Sequence, residues 1–141
     1  MAFDVQVTID SSAPHDLADW WAATLGWQVE EQDEAFIRRM IETGAASEAD
    51  TIRHRGALVW KVGAAIRSPD PGRPRVLFQS GPDAKTGKNR LHFDVRVGDD
   101  RREAEVARLL DRGATELWRA SQCPYEWVTM ADPEGNEFCV T

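Results

Sequence analysis

Polar and apolar residues alternate along three stretches of this chain. In 4–10, Val5, Val7 and Ile9 hold one parity, and Asp4, Gln6, Thr8 and Asp10 the other. In 90–97, Leu91, Phe93, Val95 and Val97 oppose Arg90, His92, Asp94 and Arg96. In 137–141, Phe138 and Val140 oppose Glu137, Cys139 and Thr141. Successive side chains of a strand point to opposite sides, so each stretch predicts a strand with one face on the core. The other face carries an imidazole, carboxylates, an amide and a thiol. Three such strands predict a sheet whose polar side lines a cavity.

The pattern changes period between these strands. Ser11-Ser12-Ala13-Pro14 is a helix start, with serine able to cap and proline suited to the first turn. Leu17, Trp20, Trp21, Thr24 and Leu25 then fall on one helical face, and Gly26 ends it. A short strand is expected at 27–31, a second helix over 33–43, a polar loop over 44–56, one strand over 57–66, a turn over 68–74 and a strand over 75–79. After a linker, the strand around His92 leads into a helix over 99–111, with acids in its first turn where the macrodipole favours them. Strands at 114–118 and 127–130 flank a loop at 119–125. Asp132-Pro133-Glu134-Gly135-Asn136 is a tight turn into the last strand.

The two halves repeat one order: strand, helix closed by glycine (Gly26, Gly113), then further strands, with an insertion around the second helix of the first half. This predicts an α+β fold of two βαβββ modules in one domain over 1–141. Module 1 is 1–80, module 2 is 89–141, and the linker is 81–88. Two half-sheets, each covered by helix on one face, can enclose a pocket.

Composition narrows the function. The chain has 141 residues and a net charge of −7, which argues against a nucleic-acid surface and an anionic membrane surface. Two cysteines, Cys123 and Cys139, are too few for a disulfide framework, and no CxxC pair marks structural zinc. The first residues lack the basic and apolar segments of a signal peptide, and no stretch reaches transmembrane length. A cytoplasmic protein is expected.

Three segments together carry a family resemblance: Trp20-Trp21-Ala22-Ala23-Thr24-Leu25-Gly26-Trp27, Lys88-Asn89-Arg90-Leu91-His92-Phe93-Asp94, and Asp132-Pro133-Glu134-Gly135-Asn136-Glu137-Phe138-Cys139. In this order they resemble the vicinal-oxygen-chelate superfamily, in particular its glyoxalase-like, bleomycin-resistance-like branch. The last segment is similar to the superfamily's DPxGN turn before the closing strand. The resemblance implies paired βαβββ modules forming a curved mixed sheet around a pocket, and a homodimer. In metal-dependent members it implies a divalent ion. Carried over by position, the ligands fall on Gln6, His92 and Cys139, with a fourth near Gln79. Gln6 is a weak ligand and Cys139 a soft one, so the usual full metal site is expected to be missing, and a divalent metal is the possible cofactor.

Each candidate has a plainer reading. His92, with Asp94 two positions along, can bind substrate, act as acid or base, serve as a ligand, or hold a pocket hydrogen bond. Glu137 is the second candidate for acid–base work, against a cross-strand ion pair. Gln6, Asp94, Trp60, Trp127, Cys139 and Gln79 are the candidate ligand-binding residues. Flat ligands stack on indoles, yet six tryptophans also fill a core. Cys139 is a thiol or a small hydrophobe, and Cys123 a loop residue. Lys85, Lys88 and Arg90 form a basic group that either meets an anion or is solvated. His15 and His54 read as surface residues.

Three functions follow: a glyoxalase-like small-molecule-binding protein, including one that sequesters an antibiotic; a lyase, isomerase or dioxygenase-type enzyme using His92 and Glu137 with or without an ion; or a dimeric interaction module. The polar inner face favours a small-molecule ligand over the third.

Overall fold

The computed structural model describes residues 1–81 and 83–141; Pro82, in the expected linker, lies outside them. The chain divides into two compact units, Met1–Asp83 and Ala84–Thr141.

The first unit runs β1 (Val7–Ser11), α1 (Pro14–Leu25), β2 (Gln28–Val29), α2 (Glu34–Glu42), a 3-10 turn (Glu48–Asp50), β3 (Thr51–His54), β4 (Ala57–Trp60), β5 (Gly63–Arg67) and β6 (Val76–Ser80). Its main sheet has the order β1-β6-β5-β2, with β1 parallel to β6 and the other pairs antiparallel. β3 and β4 form a separate hairpin. Pro14 opens α1 and Gly26 closes it in the left-handed conformation at φ 67°. Its apolar stripe places Leu17, Trp20 and Trp21 in the core with Phe78 and Ile66. Each such large side chain contributes about 1.5–3 kcal/mol by leaving water. Gly63 is needed for a different reason: a Cβ there would lie 2.7 Å from the Phe78 carbonyl oxygen on the neighbouring strand.

The second unit runs β7 (Asp94–Val95), α3 (Arg102–Asp111), β8 (Thr115–Gln122), β9 (Tyr125–Ala131) and β10 (Glu137–Val140). Its sheet order is β7-β10-β9-β8, again with the first and last strands parallel. If the β3–β4 insertion and α2 are set aside, the two units share one order: first strand, fourth, third, second. The fold is thus α+β with two sheets of mixed strands.

In β8 the register slips between Glu116 and Trp118, so Leu117 is an extra residue opposite β9. The slip decides which way Trp118 points. Glu116 pairs with Met130 and Arg119 with Val128, on the side where Arg119 Nη1 reaches Glu103 of α3 at 2.7 Å. Trp118 pairs with Thr129 on the opposite side. A bulge re-aims a side chain in this way.

Several expectations need correction. The segment 44–56 is not all loop: β3 begins at Thr51 and pairs with β4 across a turn at Arg55–Gly56. The stretch 57–66 is two strands, because β4 pairs with this hairpin while β5 joins the main sheet. The 119–125 segment is mostly strand, since β8 and β9 extend to Gln122 and Tyr125. Alternation overreached at two strand starts. Val5 is 69% and Leu91 89% exposed, because ladder pairing begins only at Val7 and Asp94. His15 and His54 are not surface residues. His15 is buried on the inner face of α1, with Nε2 2.8 Å from the Trp60 carbonyl. Half-buried His54 places Nε2 2.7 Å from Asp19 Oδ2.

One ion pair in the first unit makes stability depend on pH. Arg75 reaches both oxygens of Glu30, at 3.0 and 2.7 Å, and Arg67 joins it. The Arg75 guanidinium, aided by Arg67, holds the Glu30 carboxyl below its usual range against the opposing effect of burial. Its contribution is complete above the unfolded carboxyl value, about 4.3, and is lost as pH falls through the lower folded value. Glu30→Gln should therefore cost about 1 kcal/mol at neutral pH and flatten the acid limb of stability. Urea midpoints between neutrality and about pH 3 check this; an acid limb unchanged by the substitution refutes it.

Candidate functional site

Strand register builds a working face in the second unit. Asp94 on β7 lies opposite Cys139 on β10, Cys139 opposite Thr129 on β9, and Thr129 opposite Trp118 on β8. The four form one row across the sheet. His92, Trp127, Glu137 and Thr141 each lie two positions from a member of that row and share its parity. These eight residues and Lys88 line a hollow of about 370 Å³. That is within the size range of small-molecule sites. The alternate residues Val128, Met130, Phe138 and Val140 are buried on the helix side.

His92 and Asp94 are open to solvent, with His92 Nε2 3.4 Å from Asp94 Oδ1. Cys139 is buried and its thiol is free, with Sγ 3.5 Å from Thr129 Oγ1. A ring nitrogen of His92, a carboxylate oxygen of Asp94 and Sγ of Cys139 all lie within 4.8 Å of one another, the one such donor group among the described residues.

Glu137 faces the hollow but is already engaged. Its Oε1 receives Lys85 Nζ at 3.0 Å and its Oε2 receives the Asn89 amide at 2.9 Å. Burial alone would raise its carboxyl; the Asn89 amide and the Lys85 ammonium overcome this and hold it below the usual range. Glu137 thereby ties residues 85–89 to the start of β10.

The remaining candidates lie in the first unit. Gln6 Oε1 accepts from Arg75 Nη1 at 2.6 Å, and Gln79 Nε2 donates to Asp10 Oδ1 at 3.0 Å. Trp60 ends β4, with its amide on Gln32 Oε1 at 2.7 Å. Among the residues that line the hollow, Trp118, Thr129 and Thr141 were not among the candidate site residues. Thr129 shares the parity of Trp127, a sign available in the sequence. Lys88 was left between an anion site and a solvated linker, and it faces the hollow. Cys123 is exposed, in the turn between β8 and β9.

The family model described as "Glyoxalase-like domain" matches residues 6–141, nearly the whole chain. The chain belongs to the glyoxalase-like domain family. Solved structures agree on the fold of this glyoxalase-like protein. The fosfomycin resistance protein FosX from Listeria monocytogenes superposes with a TM-score of 0.64 at 5% identity, over 99% of this chain and 92% of that one. A hypothetical protein, SA1046, from S. aureus gives 0.62 at 10% identity, over 99% and 96%. A glyoxalase/bleomycin resistance protein/dioxygenase family enzyme from Burkholderia phytofirmans PsJN gives 0.58 at 14% identity, over 96% and 93%. No curated protein matches the chain in sequence. Among the described residues, no helix of the glyoxalase-like protein is long and apolar enough to cross a membrane.

The superfamily resemblance implies a divalent ion, and the donors can be tested against one. The hollow of the second unit offers nitrogen, oxygen and sulfur from His92, Asp94 and Cys139. A set with thiolate suits a borderline-soft ion and fits magnesium or calcium poorly, since those take oxygen ligands.

Proposed function

We propose that this glyoxalase-like protein binds a small, flat, partly polar molecule in the hollow of its second unit. His92 is the residue that engages it. The observation that carries this reading is the cross-strand row with its neighbours. It sets an imidazole, a carboxylate and a thiol beside the indoles of Trp118 and Trp127 on one face of one sheet. The indoles offer stacking surfaces, and the few polar groups fix orientation. Lys88 adds an ammonium for an anionic substituent. Gln6, Gln79 and Trp60, in the first unit, do not line this hollow. In this reading the chain acts in the cytoplasm, and as the homodimer that its family resemblance implies.

An enzymatic version is favoured by the donor group alone. An ion held by His92, Asp94 and Cys139 would supply a Lewis acid in the hollow. With an ion, His92 is a ligand; without one, His92 takes or gives the proton, and Glu137 holds the Lys85–Asn89 segment or joins in proton transfer.

Tryptophan fluorescence and thermal shift with aromatic carboxylates, fosfomycin and bleomycin test the binding reading. At least one compound should quench fluorescence and raise the melting temperature. His92→Ala should abolish that response while changing stability by no more than about 0.5 kcal/mol, because the side chain is exposed. A His92→Ala protein that binds as tightly as the parent would overturn the assignment.

A further inference from the structure

We infer that residues 85–89 form a strap that reads charge: Glu137 pins it to the sheet, and its Lys88 takes the acid group of an aromatic anion whose fused rings lie on Trp118. The inference rests on the reading above for the hollow and its flat ligand, and it names that ligand's class and orientation.

The open charge of the hollow is positive. Asp94 faces His92 at 3.4 Å, and Glu137 faces the Lys85 ammonium at 3.0 Å. Lys88 lines the same hollow, and its Nζ donates to the Asn89 carbonyl at 3.3 Å. Among the described residues Lys88 has no ion-pair partner. An acid group on the ligand supplies one, through a bond about twice as strong as a neutral hydrogen bond. The net charge of −7 does not forbid this, since at physiological salt exposed charges are screened beyond about 8 Å.

Glu137 holds the strap. Its two oxygens take Lys85 Nζ and the Asn89 amide, on either side of Lys88 in the chain. Lys85 Nζ also donates to the Gly87 carbonyl, and Asn89 Nδ2 donates to Asn136 Oδ1 at 3.2 Å. The chain around Lys88 is thus fixed while Lys88 itself stays exposed. Fixing its stem in advance removes part of the ordering cost that binding would otherwise meet. Glu137 is in this account a positioning residue, acting on the ligand through Lys88.

Trp118 marks the other end. It is 45% exposed, and among the described residues neither its indole nor that of Trp127 stacks on another ring or makes a hydrogen bond. Asn89 is tied to β10, and Trp118 lies on β8, two strands away. Neighbouring strands lie about 4.8 Å apart, so the acid end and the ring end are separated by about 10 Å. A single ring bearing a carboxylate falls short of that span, whereas two fused rings with a terminal carboxylate cover it.

The test is calorimetric titration of the full chain with 2-naphthoate, its neutral amide 2-naphthamide, and benzoate. The two-ring acid should bind about tenfold or more tightly than either of the others. Lys88→Met should bring the acid down to the affinity of the amide and leave the amide unchanged. Trp118→Leu should weaken acid and amide alike, by roughly 3–10-fold. Glu137→Gln is the test of the strap. By charge alone, removing a carboxylate from the hollow would tighten the binding of an acid; the strap requires the acid to bind more weakly and the amide as before. Lys88 and Trp118 are exposed, so their variants should fold even where Glu137→Gln does not. Equal affinity for acid and amide, an acid preference that survives Lys88→Met, or tighter acid binding by a folded Glu137→Gln would each overturn the inference. If acid and amide bind equally and His92→Ala abolishes both, the charge-reading strap falls and the pocket reading stands. If no compound binds at all, both fall.

Discussion

Phe138→Ala should lower the unfolding free energy by about 3–5 kcal/mol, the largest effect expected in the second unit. Phe138 is fully buried on β10, opposite Met130 of β9, and shares the helix-side layer with Val128 and Val140. Truncation removes the transfer free energy of the ring and leaves a cavity in a layer made of strands and α3. Its neighbours in the chain, Glu137 and Cys139, both line the hollow. The substitution should therefore also loosen ligand binding, although Phe138 faces away from the hollow. Urea unfolding gives the first quantity. A loss below about 1 kcal/mol would show that the buried layer is not the foundation of the site.

Asp132→Ala should be the second costly change, at about 2–3 kcal/mol. Asp132 is buried, and its Oδ1 accepts from the Glu134 amide, the Asn136 amide and the Asn136 side chain at 2.9, 2.9 and 3.2 Å. Its Oδ2 accepts from Asn136 Nδ2 at 3.0 Å. These bonds set the turn that delivers Glu137 and Cys139 to β10. Alanine strands two backbone donors, and each lost bond to a charged acceptor matters more than a neutral one. Asn at 132 keeps one acceptor and sets an amide nitrogen against Asn136 Nδ2, so Asp132→Asn should lose less than alanine but more than half of the same free energy. Thermal melts of the pair decide this. Equal stability of Asp132→Ala and the parent would mean that the turn is shaped by backbone geometry alone.

What the sequence disclosed was local. The alternation in 137–141 places Phe138 and Val140 inside and Glu137, Cys139 and Thr141 on the hollow, as the sheet confirms. The α1 stripe and its Gly26 stop were equally plain, because each element there agrees with its own propensity. Alternation in 90–97 put His92 and Asp94 on one face but wrongly buried Leu91, since periodicity does not reveal where a ladder begins. β3 was hidden because Ile52 is its one large apolar residue. The two-residue turn Arg55–Gly56 was the available hint. Sheet order, and with it the row from Asp94 to Trp118, depends on pairings distant in the chain that no window of residues displays. The grouping of Asp94 with His92 and Cys139 follows from that row.

The slip at Leu117 bears on how such a cavity can change its taste. With an unbroken ladder, the same residues would offer leucine to the ligand and tuck the indole against the helix. A relative lacking the codon for Trp118 would set Leu117 opposite Thr129 and keep Arg119 opposite Val128, whereas one lacking the codon for Leu117 would keep the indole in the hollow. Ligand preference on this scaffold can therefore drift by insertion and deletion, a route that comparing substitutions position by position would overlook.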